Sequence, residues 1–468
     1  MVDHWDVIII GAGTAGLAAL REVSKQTDNV LMINAGAYGT TCARVGCMPS
    51  KVLIEAARAL HDRVRHEAFG IRGSERLYAD IPAVLRHVRE LRDHFVSGTL
   101  KPTEALGERS ISGQAKLLGP NTVEVEGQVY HTDRIIIATG SHPVVPEPWK
   151  ALGERVLTTD RFFEQTSLPA RVAVIGLGPL GLEMAQAMAF LGIKVFAFDK
   201  SSALAGLTDP TVTDTLREAL EENFTIHTGA DVKLTSHGDG VMVEAGDLTF
   251  EVDRVLAAVG RQPNIQNLGL ENLGIELDDR GMPAFNPVTT QITDLPIFIA
   301  GDVNKHAPVL HEAADEGYIA AHNALADTPS DFPRRTPMGI VFIEPGVAFV
   351  GQRFADLDPS ALIGEASFAN QGRAVAAQRN QGLVRLYARE DAVLIGAEMC
   401  APGAEHMVHL LGLAISEQLT VHQLLRMPFY HPVLEEGLRS ALRELAKQFP
   451  CSEPDLAACG EFRIEALE

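Results

Sequence analysis

Little in this chain invites a charged polymer or a lipid surface. Only 40 of its 468 residues are Lys or Arg, against 61 Asp or Glu, a formal charge of −21. A surface so poor in cations repels phosphate backbones and anionic headgroups, which argues against nucleic acid and against the membrane. Long apolar runs are missing as well. The stretch Val7 to Leu20 is interrupted by three glycines, and it falls short of the ~18 apolar residues that mark a spanning helix. It follows Asp3 and Asp6 rather than a basic segment, so it does not read as a secretory signal. Cysteine is scarce: five in all, two close together and three scattered. That excludes the dense, even framework of a secreted disulfide scaffold and fits a reducing, cytoplasmic setting. Repeats and low-complexity tracts are absent. What remains, 46% hydrophobic over this length, is the make-up of a soluble multidomain enzyme with about three domains.

What is present begins with a strand, a tight turn and a helix. Asp6-Val-Ile-Ile-Ile10 is a β-branched run, and Gly11-Ala-Gly13-Thr-Ala-Gly16 leads from it into the helical pattern Leu17 to Val23. In such a unit the first glycine allows the turn and the second lets backbone amides approach a pyrophosphate. The third permits close packing of helix on strand, and the helix N-terminus faces the phosphates. A second apolar strand, Val30 to Ile33, follows at βαβ spacing and ends at Asn34, where an acidic residue would ordinarily hold ribose hydroxyls. Asn can bind those hydroxyls without the charge. The unit then repeats: Arg171 to Ile175, then Gly176-Leu-Gly178-Pro-Leu-Gly181, a helix through Leu191, and a strand from Lys194 ending at Asp199. Asp199 stands where a carboxylate accepts from a ribose 2′-hydroxyl and repels a 2′-phosphate, which favours NADH over NADPH. Either glycine triplet alone could be an ordinary sharp turn. Two of them in matching contexts imply two dinucleotide sites.

Between these units lies Gly39-Thr-Thr-Cys-Ala-Arg-Val-Gly-Cys-Met-Pro-Ser-Lys51. A disulfide between Cys42 and Cys47 would close so short a loop that its worth as a staple is only roughly 2 kcal/mol. Reversible thiol–disulfide exchange explains the pair better, because exchange needs one thiolate to attack and a second to resolve. Further along, the Pro-rich run Pro143 to Pro148 marks the entry to the second unit, and Val255 to Ile265 closes it with a strand and a turn. Pro296-Ile-Phe-Ile-Ala-Gly-Asp302 reads as a buried strand that returns to the first unit. Asp302 at its edge is placed either to bind a ligand hydroxyl or to cap the next helix. Asp327 to Pro337 is a linker. Beyond it, Gly339 to Gly351 and Gly382 to Met399 read as alternating strands, with helices near Glu405 to Glu417 and Pro432 to Lys447.

Two Gly-rich units, a Cys-x4-Cys pair followed by Pro-Ser-Lys, and a late His-Pro element together carry a resemblance. Further carriers are Ile137-Ala-Thr-Gly-Ser141, Gly260-Arg-Gln-Pro-Asn264, Ala300-Gly-Asp302, His311 to Gly317, and His431-Pro-Val-Leu-Glu-Glu436. In order and spacing they resemble the class I pyridine nucleotide–disulfide oxidoreductases, and within them most closely the dihydrolipoamide dehydrogenases. The resemblance spans nearly the whole chain. It implies an α/β fold with two Rossmann-like dinucleotide-binding domains and a C-terminal α+β dimerisation domain. The expected boundaries are 1–150 for the first part of the FAD domain, 151–264 for the NAD domain, 265–335 for the return segment and 336–468 for the interface domain.

The roles that the resemblance implies fall on particular residues. FAD would lie on Gly11, Gly13 and Gly16, with Asn34 at the adenosine ribose and Asp302 on the ribityl chain. NAD would lie on Gly176, Gly178 and Gly181, with Asp199. Thr41, Lys51, Thr139, Gly140, Gly260 and Arg261 complete the cofactor-binding set, and no metal is called for. Cys47 matches the flavin-contacting thiol and Cys42 the thiol that meets substrate. Lys51 and Glu183 match an ion pair beside flavin N5. His431 and Glu436 match an acid–base dyad supplied by the other subunit of a homodimer. Oxidising a dithiol needs a base near neutral pH, which imidazole provides. The implied activity is oxidation of a dihydrolipoyl group on a carrier protein, or of another small dithiol, with NAD⁺ as acceptor.

A glutathione- or thioredoxin-type reductase is the alternative, opposed by Asp199, and an inactive flavoprotein scaffold is opposed by retention of every catalytic position. A soluble transhydrogenase would lack the cysteine pair and a mercuric reductase would carry adjacent C-terminal cysteines. Cys451 and Cys459 read as ordinary thiols rather than a redox tail, and Cys400 as core. Arg44 stands where an Asn is usual, Val433 and Glu435 replace the usual Thr and Ser, and Tyr430 replaces a small residue. With Asn34, these departures suggest a specialised relative.

Overall fold

The structure, a computed structural model, describes residues 4–450. The N-terminal β-branched run forms strand His4–Ile10, fully buried from Val7 onward. A run of Val and Ile without polar alternation needs cover on both faces, and a parallel strand flanked by helices has it. This strand pairs in parallel with Val30–Asn34 on one side and Gln128–Ile137 on the other, so that Ile8 faces Leu31 and Ile135. Strand Ile297–Ile299 pairs with Ile135 to Ile137 and completes a seven-stranded sheet. The chain does return to the first unit there. Helix Thr14–Val23 packs against helix Leu310–Leu325 at very short range, since a Cβ at Gly317 would meet Ala15 O at 2.2 Å.

The second unit is a five-stranded parallel sheet, in order Thr225–Thr228, Lys194–Asp199, Arg171–Ile175, Arg254–Ala257 and Val156–Leu157. A three-stranded antiparallel sheet between Val232 and Val252 covers it through Leu234, Val241 and Val243. The C-terminal unit is antiparallel, in order Met338–Val341, Gly346–Gly351, Leu394–Ala401, Leu383–Ala388 and Leu362–Ser367. Helices Ala404–Ser416 and Glu436–Ala446 close its core. This is the α/β architecture with a C-terminal α+β unit that the motifs implied. Cys400 is fully buried there and its thiol is pushed up to about 12 by burial. Cys451 and Cys459 lie outside the described residues. Among the described residues no helix is long and apolar enough to cross a membrane.

Several elements carry no strong sequence signal. The longest helix, Ile81–Leu106, buries only a thin stripe that includes Leu85, Val88 and Leu106, and it contains Gly98 and Pro102. Its start is marked by Asp80, whose side chain accepts from Ala83 N at 3.1 Å, an N-cap that satisfies one of the unpaired amides of the first turn. Strand Leu362–Ser367 and the three-stranded sheet carry no clear signal either, because short half-exposed strands alternate too briefly to stand out.

Candidate active site

The two glycine turns are built alike. At Gly16 a Cβ would lie 1.9 Å from Gly11 O, and at Gly181 it would lie 1.8 Å from Gly176 O, so only glycine lets each helix cross its own strand. Gly13 and Gly178, by contrast, have no atom within 4 Å of that position. Each turn therefore keeps an open cradle of backbone amides at a helix N-terminus, the arrangement that receives a pyrophosphate. Ala12 N donates to Asn34 Oδ1 at 3.0 Å, and Leu177 N donates to Asp199 Oδ2 at 2.6 Å. Asn34 thus takes the structural post that Asp199 holds, without the charge. Asp199 Oδ1 also accepts from Ser201 N at 2.8 Å.

Beyond the first turn, Thr139 Oγ1 is buried with no hydrogen-bond partner, beside Gly140. Buried hydroxyls are seldom left unpaired, and this one fits a site shaped for a polar ligand such as FAD. Ser141 Oγ donates to Asp302 Oδ2 at 3.0 Å and accepts from Arg261 Nε at 2.8 Å, while Arg261 Nη2 donates to Ser141 O at 2.6 Å. Arg261 therefore braces Asp302 through Ser141. Gly260 carries φ of 111°, which favours glycine, and its carbonyl accepts from Val144 N. Beneath Asp302, fully buried Glu316 accepts from Gly301 N at 2.7 Å and from Asn304 Nδ2 at 2.7 Å, and pairs with Arg334 at 3.0 Å.

The cysteines meet because Gly46 lets two helices abut. Helix Thr41–Val45 ends at Gly46 and helix Cys47–His61 begins there; a Cβ at Gly46 would crowd Thr41 O at 3.0 Å and Cys42 Cα at 3.3 Å. Both cysteines are free thiols, the reduced state of the expected pair. The two sulfurs line the same cleft and act on each other's protons. That interaction, helped by the Lys51 charge, brings the Cys47 thiol down to about 7. The same interaction, together with burial and the neighbouring Cys47 charge, pushes the Cys42 thiol well above the usual thiol range. One sulfur is thus poised as thiolate and the other as thiol.

Lys51 Nζ lies 2.7 Å from Glu183 Oε2, with the carboxylate almost wholly buried. The other oxygen, Oε1, accepts from Phe342 N at 3.0 Å, and the Lys51 ammonium sits 4.4 Å from the centroid of the Phe342 ring. One turn along the same helix, Gln186 bonds both backbone groups of Glu344, accepting from its N at 2.7 Å and donating to its O at 2.6 Å. Three units of the chain meet at this point.

A cleft of about 530 Å³ gathers Gly13, Thr41, Cys42, Cys47, Lys51, Gly140, Glu183, Arg261 and Asp302. His431 and Glu436 do not line it. Their pairing nevertheless exists: His431 Nδ1 stands 3.2 and 3.1 Å from the Glu436 oxygens, with the imidazole 61% exposed and the carboxylate 10%. Glu436 also takes Arg439 Nη2 at 2.8 Å and Val433 N at 3.3 Å, so Arg439 shares the carboxylate. Sequence reasoning missed Phe342, Gln186 and Arg439, none of which has a signature of its own, and gave Glu316 no role although it lies in the motif His311 to Gly317. Arg44 turns toward Gly39, with its Nε buried and without a hydrogen-bond partner.

Residues 5–325 match the family described as pyridine nucleotide-disulphide oxidoreductase, and residues 338–442 match its dimerisation domain. Dihydrolipoyl dehydrogenase of Thermus scotoductus is 31% identical over 460 residues, covering 95% of this chain and 98% of the relative. That of Bacillus subtilis is 30% identical over 447 residues, covering 92% and 94%. Among solved structures, the Cu(II) complex of the HOCl-induced flavoprotein disulfide reductase RclA from Escherichia coli aligns with a TM-score of 0.83 at 22% identity, covering 94% of this chain and 99% of that one. LpdA from Mycobacterium tuberculosis aligns with a TM-score of 0.80 at 24% identity, with the same coverage. At these identities the structures speak for the fold.

Proposed function

The chain belongs to the pyridine nucleotide-disulphide oxidoreductase family, and on that premise we propose that it oxidises carrier-bound dihydrolipoyl groups through a Cys42–Cys47 disulfide, with NAD⁺ as final acceptor. It is a flavoprotein disulfide oxidoreductase of a family that uses FAD and NAD(H). The residues that would hold FAD are Gly11, Gly13, Gly16, Asn34, Thr41, Thr139, Gly140 and Asp302. Those that would hold NAD are Gly176, Gly178, Gly181 and Asp199. The dimerisation domain supports a homodimer, in which His431 of the partner subunit would reach the Cys42 side of the cleft.

The observation that carries the reading is the meeting of Cys42, Cys47 and the Lys51–Glu183 pair in one cleft beside the first glycine turn. In the oxidised state a substrate thiol gives its proton to His431 of the partner subunit and its sulfur attacks Cys42. The Cys42–Cys47 bond breaks, and Cys47 leaves as the thiolate that its surroundings favour. The second substrate thiol then attacks the substrate sulfur of the mixed disulfide, releasing the cyclic disulfide and a protonated Cys42. Glu436 keeps the proton of its imidazole on Nδ1, so that Nε2 is free to act as base. The FAD that these residues would hold would supply the two-electron redox chemistry that links the Cys42–Cys47 dithiol to NAD⁺.

Steady-state turnover of dihydrolipoamide with NAD⁺ and NADP⁺ tests the assignment. Preference for NAD⁺, and loss of turnover in Cys42→Ser by at least about a hundredfold, are expected of a covalent exchange centre. Turnover of a different disulfide with NADPH in its place would put the chain with the reductases. Comparable efficiency on free lipoamide and on several lipoylated carriers would argue against the specialisation that Arg44, Val433 and Glu435 suggest.

A further inference from the structure

The Lys51–Glu183 pair is held by a residue from the far end of the chain. Phe342 follows strand Met338–Val341 of the C-terminal unit, yet it touches both members of the pair. Its backbone amide occupies the Glu183 oxygen that Lys51 leaves free, at 3.0 Å, and the face of its ring lies 4.4 Å from the Lys51 ammonium. The segment cannot drift, because Gln186 clasps Glu344 through both backbone groups two residues later. An ammonium over an aromatic face is attracted by the ring quadrupole, more strongly when the site is shielded from water. Lys51 is 30% exposed and Glu183 5%, so this one is partly shielded. Without the ring, the long Lys51 side chain has its carboxylate partner but no floor.

We propose that Phe342 is a positioning residue: its ring and its amide together fix the Lys51–Glu183 pair so that the Lys51 charge stays directed at the Cys47 sulfur. The charged and titratable groups facing that sulfur are Cys42 from the preceding helix, Lys51 from its own helix and Glu183 from helix Pro179–Phe190. His311, His409, Asp302 and Arg261 line the same cleft. Of these, Lys51, four residues along the Cys47 helix and so on the same face, attracts the negative charge of the sulfur, while Glu183 opposes it. Glu183 does less harm when its own charge is taken up by Lys51 and by Phe342 N. Phe342 therefore acts on Cys47 by two routes that push the same way, and a C-terminal strand becomes part of the apparatus that keeps one thiol ionised.

The test reads the thiol, without turnover. Full-length holoprotein is reduced with excess dithiol and alkylated with iodoacetamide over a range of pH, and modification of Cys47 is followed residue by residue by mass spectrometry. In Phe342→Leu the Cys47 profile should move to higher pH by about half a unit, roughly a threefold loss of thiolate below the midpoint, the size one cation–π contact supplies. Phe342→Tyr keeps the ring and should follow the parent. In a Lys51→Met background Phe342→Leu should cause no further shift, because the ring acts through the ammonium. If Phe342→Leu does not fold, Phe342→Met takes its place with the same expectation. A Leu or Met profile that superimposes on the parent, a Tyr profile displaced as far as the Leu one, or an additive shift in Lys51→Met overturns the proposal. The inference rests on the redox role given to Cys47, but the two fail separately: absent dihydrolipoamide turnover by the parent counts against that role, whereas an unmoved alkylation profile counts only against Phe342.

Discussion

Cys47 shows how a single residue ties the site to stability. Unfolded, its thiol holds a proton up to the ordinary thiol value of 9.0; folded, it releases the proton at about 7. Between those limits the unfolded chain binds more protons, so the reduced protein should gain stability as the pH rises from about 7 toward about 9 and lose that gain as the pH falls back through 7. Cys42 works the other way above that range, since its folded thiol keeps a proton that the unfolded one gives up. Melting temperatures of the reduced protein, measured against Cys47→Ser at each pH, should show the rise in the parent and a flat difference if Cys47 has no part in it. The amplitude will be small because the sulfur is in partial contact with water. The identity of the two cysteines was legible from their spacing. The resemblance implied separate roles for them but not their difference in proton affinity, because that depends on Gly46 bringing Cys42 onto the first turn of the next helix and on a lysine one turn further along.

Helix Pro179–Phe190 is the element on which the units converge. Its glycine-rich start faces one dinucleotide cradle, and Glu183 and Gln186 on the following turns reach across to the backbone of Phe342 and Glu344. Gln186→Leu leaves both backbone groups of Glu344 without these partners in a partly buried place, and an unpaired buried polar group costs about 1–3 kcal/mol. A lowered denaturation midpoint should result, with the urea slope unchanged; a midpoint equal to the parent's would mean that water replaces the glutamine at no cost. The sequence pattern announced this helix by its glycines and its apolar run. The clasp was hidden, since Gln186 sits in an almost wholly buried helix where its neighbours suggest only packing.

At the scale of the molecule, buried polar contacts join the second unit to the C-terminal one. Glu398, fully buried, accepts from Thr208 N at 2.8 Å and pairs with Arg353 at 3.0 Å, and Asp209, equally buried, takes Arg385 at 2.7 Å and the Tyr387 hydroxyl at 2.8 Å. Such groups are costly to bury unless fully paired, so together they specify one docking geometry. On the outer side of the C-terminal unit, exposed His431 stands away from the cleft of its own chain, which leads to a test of the dimeric site. Cys42→Ser and His431→Ala protomers should each be inactive alone. Dissociated, mixed in equal amounts and reassociated, they should recover about one quarter of parental activity, since half of the dimers are mixed and each has one intact site of two. A mixture that stays inactive would place the histidine in the same chain as its cysteines. The linear order of motifs was enough to mark two glycine turns, a pair of neighbouring cysteines and a His–Glu pair, because each rests on local chemistry: glycine where backbones cross, two thiols a few residues apart, a carboxylate five residues beyond an imidazole. Only the tertiary structure decided which sulfur is ionised, that Arg261 braces Asp302, and that Phe342 lies beneath Lys51. Those relations join residues far apart in the chain, and the packing of three separate units, with no periodicity to announce it, brings them within hydrogen-bond range.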